Sequence, residues 1–273
     1  MNLIYKYVVV LMVSFFISTP SFSGTACKSK GTDQWFGNGI SDLPVGDACW
    51  GKSSQYKMTL YEFRMCKSFP TEPTTSATFD LSNCELLLSS NSGEELDVKL
   101  GEVTGNFSIH TPPTGQYTHA YARISNIIKI KGSVDFGISS NLSNNANRYC
   151  VSTAGAQDTN NRLSGNCSSS DNVDPQETLT EKIKFGNQEL TVTGTRGKAF
   201  LLDSNQYLSS EVSTTESEYM VQVKELINPV IIDNNTKYIT LKSSVTKGLT
   251  VKLKDANTVH FDIGPFDIDV EVE

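Results

Sequence analysis

Three histidines, thirty acidic residues and six cysteines are the groups from which this chain could build chemistry. His110 precedes a Pro-Pro turn, His119 lies in a run of strand-forming residues, and His260 stands two residues before Asp262. No HExxH, no GxSxG and no Gly-rich phosphate loop accompanies them, and a glycosidase pair cannot be chosen among the carboxylates without distances. No catalytic set is therefore assigned, and the chain is not expected to be an enzyme. The most regular acidic feature is the C-terminus, where Phe266, Ile268, Val270 and Val272 alternate with Asp267, Asp269, Glu271 and Glu273. Period-two alternation is the pattern of a strand with one apolar and one polar face. Three uses fit it. The acids can blunt an ordinary edge strand. The strand can be lent to a second copy or to another surface protein. Or Asp267, Asp269 and Glu271 can form a calcium ladder, although alternate residues lie about 6.5–7 Å apart and the ion would need further ligands. Calcium is the one candidate cofactor. Trp35 and Trp50 either cap one end of the core or stack against a glycan.

The cysteines fall into near neighbours: Cys27 with Cys49, Cys66 with Cys84, and Cys150 with Cys167. Six cysteines allow about fifteen pairings, and three sequential disulfides are expected among them. Each would close a loop of about 20 residues and contribute about 3 kcal/mol on the chain-entropy account. No CxxC or Cys/His cluster has zinc spacing. Lipidation of Cys27 is the rival reading, but Gly24 stands where a lipobox needs a large aliphatic residue, and five cysteines would remain.

The first residues supply the address. Lys6, an apolar run from Val8 to Ile17, Pro20 and the small residues Ser21 and Ser23 form a secretory signal peptide over residues 1–23. The run is too short to span a bilayer as an anchor, and no second stretch approaches that length. Cleavage removes Lys6 alone among the charged residues, taking 23 basic residues to 22 against 30 acidic ones. An acidic, unclustered surface argues against nucleic acid and anionic membranes as partners. An exported protein is expected, in the periplasm, at the cell surface or beyond it, where disulfides persist. Asn-x-Ser/Thr triplets at Asn106, Asn141, Asn166 and Asn234 matter only in a source that glycosylates.

Residues 24–55 read as a Cys-stapled, Gly- and Ser-rich leader, and 56–273 as one β domain. Tyr56–Cys66 is the first strand, with imperfect alternation that suits a bulge. Short strands are expected at Ala77–Leu81, Glu85–Ser89, Leu96–Leu100 and Asn106–His110. The turn Pro112-Pro113-Thr114-Gly115 then opens Thr111–Val134, the central strand or strand pair, on which Tyr117, His119, Tyr121 and Arg123 are expected to share one face. Residues 139–178 are rich in Asn, Ser and Gly and nearly lack large apolar side chains, so they read as a surface insertion held by Cys150–Cys167. Strand signals resume at Glu181–Phe185 and Glu189–Thr193 around a Gly186-Asn187 turn. They continue at Lys198–Leu202, Tyr219–Leu226, Val230–Ile232, Lys237–Lys242, Leu249–Lys254 and Thr258–Ile263. Without a helical apolar period anywhere, the fold class is all-β: a disulfide-stapled antiparallel β-sandwich with a long Asn/Ser-rich insertion.

Phe79-Asp80-Leu81, followed by Pro113-x-Gly115-x-Tyr117-x-x-Ala120-x-Ala122-x-Ile124, resembles the prealbumin-like and carboxypeptidase-regulatory-like domains of bacterial surface proteins. Tyr238-Ile239-Thr240-Leu241 to Val251 is similar to their late strands. The resemblance covers about a third of the chain and implies an exported, non-catalytic domain used in structure or binding. It carries no site residues. The expected function is a structural or adhesive surface protein, with assembly by strand pairing as one form of it. The alternative is a periplasmic or secreted binding module for a glycan or calcium.

Overall fold

A computed structural model describes residues 25–26, 48–51, 53–98, 107–135, 149–157, 163–169, 178–179, 188–192, 195–209, 218–244, 248–253, 259–263 and 267–273. Among these, strands β1 (Thr25–Ala26), β2 (Ala48–Gly51), β3 (Gln55–Cys66), β4 (Cys84–Asp97) and β5 (Ser108–Ile109) come first. They are followed by β6 (Gly115–Lys131), β7 (Ser133–Asp135), β8 (Tyr149–Gln157), β9 (Leu163–Ser168), β10 (Thr178–Leu179) and β11 (Gln188–Val192). The series ends with β12 (Thr195–Leu202), β13 (Tyr219–Ile232), β14 (Ile239–Ser244), β15 (Leu249–Leu253), β16 (Val259–Ile263) and β17 (Asp267–Val272). The chain is all-β, and every strand pair but the parallel β1–β2 is antiparallel.

The main sheet runs β11-β12-β13-β6-β3-β4-β5, with β10 also on β6. A second sheet runs β1-β2-β15-β16-β9-β8-β7, and β14 with β17 forms a two-stranded ribbon. One apolar cluster draws on all three, joining Phe63, Met65 and Ile124 to Val251 and Phe261 and to Leu241 and Val270. The expected central stretch holds this arrangement together. β6 is the middle of the main sheet, and one residue beyond its end β7 pairs with β8 in the second sheet. Gly132 makes the passage, because a Cβ there would stand 2.5 Å from the Leu249 side chain.

The Pro113-x-Gly115-x-Tyr117 motif has a physical explanation. The Tyr117 hydroxyl donates 2.7 Å to the Pro113 carbonyl, so a fully buried ring fastens the turn to the strand it feeds. This is the geometry of a tyrosine corner. It also corrects one expectation. Tyr117 joins the main core while Tyr121 lies in a second cluster, so the two rings do not share a face. The cause is a register slip between Glu225 and Val230 on β13, opposite His119 and Tyr117, which reverses the side-chain parity.

Three further expectations change. Residues 149–157 and 163–168, placed in a surface insertion, are strands inside the second sheet, with Cys150 and Val151 fully buried. Ladder hydrogen bonds need no apolar side chains, and the disulfide supplies the buried rung that the composition lacks. Glu85–Ser89 and Leu96–Leu100 belong largely to one long strand, β4, with residues Ser90 to Gly93 bulging where Glu62↔Ser89 slips to Leu60↔Glu94. Gly93 takes φ 75°, a conformation that favours glycine. Ala77–Leu81 is not a strand, only part of a loop with isolated bridges Thr71↔Asp80 and Thr74↔Ala77. The Gly186-Asn187 turn and Glu181–Phe185 lie outside the described residues, and β11 pairs with β12.

Candidate functional site

The C-terminal strand lies in the chain's own ribbon. β17 pairs with β14 from Ile239↔Val272 to Ser244↔Asp267. Glu273 and Tyr238 exchange backbone hydrogen bonds of 2.9 and 3.0 Å, and Lys237 N–H also donates to the Glu273 carbonyl. From Val270 onward, where side chains are described, the alternation sorts as its pattern requires. Val270 is buried against Ile239 and Leu241, Val272 packs beside them, and Glu271 is exposed. Asp269 stands opposite Lys242 and Asp267 opposite Ser244 in register. The side chains of both aspartates lie outside the described residues, and so does Trp35. Among the described residues no three His, Cys, Asp or Glu groups gather closely enough to hold a metal ion.

Between the ribbon and the edge of the main sheet runs an apolar cleft lined by Leu87, Leu88, Ile109, Pro112, Ile239 and Leu241. Its free volume is about 20 Å³, room for one water, so it admits no small molecule without opening. Farther along the same edge, the β4 bulge shapes a polar groove of about 460 Å³ with Ser89, Asn91, Ser92, Glu94 and His110 on its walls. The Ser89 hydroxyl lies 3.2 Å from His110 Nε2, both in open contact with water. A histidine beside a serine resembles half of a nucleophile–base unit, but an exposed pair competes with solvent for its own hydrogen bond.

The outer face of the main sheet carries the densest polar chemistry. Glu62 is nearly buried, and its carboxylate accepts hydrogen bonds from both Arg64 and Arg123, the latter at 3.1 Å from Nη2 and 3.3 Å from Nε. The Arg123 guanidinium lies over the rings of Tyr61 and Tyr219, 5.6 and 5.1 Å from their centroids, and those rings meet edge to face. Strand adjacency assembles the group, because β3 and β13 flank β6 and the register sets Glu62 opposite Arg123 and Arg123 opposite Val221. Sequence offered no signal for it: the members come from three strands, and neither Glu62 nor Arg123 stands in a motif.

Beside the charges lies a second apolar cluster of Tyr121, Phe200, Val221 and Val223, roofed by the loop that Cys66–Cys84 closes. Phe79 from that loop meets Tyr121 and Phe200 edge to face at 5.4 and 5.0 Å. Thr118 Oγ1 donates to the Lys67 carbonyl, and Lys198 pairs with Glu72, pinning the loop on both sides. His119 sits under Phe69, and burial lowers its pKa from the ordinary value. His260 is buried within the second sheet opposite Lys252 and Ser164, whereas His119 lies on β6 of the main sheet and His110 follows β5.

Burial, and to a lesser extent the Glu62 charge, push the Tyr121 phenol well above its usual 10.0. Its folded pKa is raised, so its contribution is complete below pH 10 and declines as pH rises beyond that point, where the unfolded chain ionises first. Urea unfolding between about pH 9 and 11 should show falling stability, with a shallower fall in Tyr121→Phe. An equal slope in both proteins would contradict this account.

Two of the three expected disulfides are formed, Cys66–Cys84 and Cys150–Cys167, while Cys27 lies outside the described residues. Cys49 and Trp50 are on β2, where their backbone pairs with Val251 and Thr250 of β15. Among the described residues no helix is long and apolar enough to cross a membrane. Comparison with protein-family models, curated proteins and solved structures finds no match to the chain.

Proposed function

We propose that the protein is exported and serves as a non-catalytic structural or adhesive component at the cell surface or beyond it. The observation that carries this reading is the placement of the two disulfides. Cys66 faces Cys84 and Cys150 faces Cys167 as direct cross-strand partners, one pair in each large sheet. Each staple is a covalent rung in a strand ladder, a brace that forms and persists where thiols are oxidised. The signal-peptide pattern of residues 1–23 supports the same address, and the firmly roofed outer face supports a scaffold role. Fractionation of the native cell tests it. The chain is expected outside the cytoplasm, starting at Gly24 by mass spectrometry, with Cys66, Cys84, Cys150 and Cys167 protected from alkylation until reduced. A cytoplasmic chain with reactive thiols would refute it.

A glycan-binding module is the second reading, favoured by the groove at the β4 bulge, whose hydroxyls, amide and imidazole suit sugar hydroxyls. The contact surface then moves from Trp35 and Trp50 to Asn91 and His110. A glycan array on the native protein that shows no signal removed by Asn91→Ala would reject it.

A further inference from the structure

We propose that β17 is an exchangeable strand: in the assembled protein it seats on β14 of a second copy and makes there the pairing it otherwise makes at home. The partner is this chain itself, and the inference rests on the structural reading above. Three observations carry it. First, β17 has β14 as its only ladder neighbour among the described residues, and the ribbon belongs to neither large sheet. Releasing β17 therefore breaks one ladder and leaves both large sheets intact. Second, the ribbon's other strand and β17 leave the second sheet side by side. β15 and β16 are in register at Leu249↔Ile263, and β14 and β17 resume at Ser244↔Asp267. Four residues (245–248) on one side thus run beside three (264–266) on the other. The shorter side is Gly264-Pro265-Phe266, a short Pro-containing connection of the kind that favours strand exchange over home pairing. Third, the seat is specific. Val270 is buried against Ile239 and Leu241, whereas Glu271 faces water, so a one-residue slip would bury acids.

Exchange keeps every contact of the home-paired form, so the balance is set by chain concentration and by the connection. A strand donated in one direction around many copies gives an open chain, and reciprocal donation gives a dimer. Glu271, exposed in the home-paired form, stays outward in either case and discourages stacking of bare edges.

The test uses variants that each add one cysteine to the native six. Because Tyr238 and Glu273 exchange both hydrogen bonds, the neighbouring pair Ile239↔Val272 is of the close, non-hydrogen-bonded type suited to a disulfide. Ile239→Cys and Val272→Cys are made in separate proteins, mixed at high concentration and oxidised mildly. Neither can close the bond within one molecule. The mixture is expected to give a covalent heterodimer at least about tenfold above either variant alone. Absence of that excess, with the double variant closing only as a covalent monomer, overturns the proposal. A second measurement needs no variant. Isotope-labelled and unlabelled native protein are mixed and joined by a zero-length carbodiimide across Lys242 and Asp269. Mixed-isotope cross-links support exchange, and links within one isotope alone refute it. Either failure leaves export and surface location untouched, since those are read from fractionation.

Discussion

Arg123→Ala is expected to lower the unfolding free energy by about 3–5 kcal/mol, the range for breaking a buried pair by removing one partner. Glu62 is 8 % exposed and cannot recover its lost partner from bulk water. Arg123 is 16 % exposed at the side chain and gives it two of its hydrogen bonds. Arg64 remains, which places the expected loss toward the lower bound. The substitution also strips the cation from between Tyr61 and Tyr219, so tyrosine fluorescence should shift with the stability. Arg123→Lys keeps the charge and loses the planar fork, and should fall between the two. The double change Glu62→Leu with Arg123→Leu should cost less than Arg123→Ala alone, since no half-satisfied buried acid is left and Arg64, 23 % exposed at its side chain, can turn to water. Urea unfolding of the four proteins measures this. A loss below about 1 kcal/mol for Arg123→Ala would mean that water reaches Glu62 and that the cluster is a surface ion pair.

Removing the Cys66–Cys84 staple as Cys66→Ala with Cys84→Ala should cost about 3 kcal/mol, from the loop closure it imposes on the unfolded chain. For a chain of this size each kcal/mol corresponds to about 2–4 °C in Tm. The structure adds a local consequence. The loop that the staple closes roofs Tyr121 and Phe200 through Phe79, so its loss should expose that cluster to a hydrophobic dye before the main core opens. Removing Cys150–Cys167, whose sequence separation of 17 is close to the other's 18, should cost a similar amount without dye binding at the outer face. Equal dye uptake in both variants would contradict the role given to the roof. Calorimetry and dye titration on the two double variants decide it.

How far the sequence carried can be read from particular strands. Tyr56–Cys66, Thr111–Val134 and the last ten residues declared themselves by β-branched and aromatic content or by strict alternation, because the pleat imposes a period of two. Cys66–Cys84 and Cys150–Cys167 followed from simple adjacency. Residues 149–157 and 163–168 did not, because a strand held by backbone ladders and one disulfide can be written in Ser, Gly and Asn, and composition then imitates a loop. The parity of Tyr117 was lost for a similar reason. One slip in register between Glu225 and Val230 on the neighbouring strand turns a side chain to the other face, and no local pattern marks where that slip falls.

The sequence by itself determined the all-β class, the disulfide partners that the structure describes, and the apolar and acidic faces of the last strand. All of these depend on near neighbours or on a repeat along one segment. Tertiary structure alone decided the rest. It set Glu62 between Arg64 and Arg123, routed β6 into a second sheet at Gly132, and gave the terminal strand a seat on β14. Each of those depends on which strands lie side by side, and strand order is fixed by burying three apolar surfaces in one core.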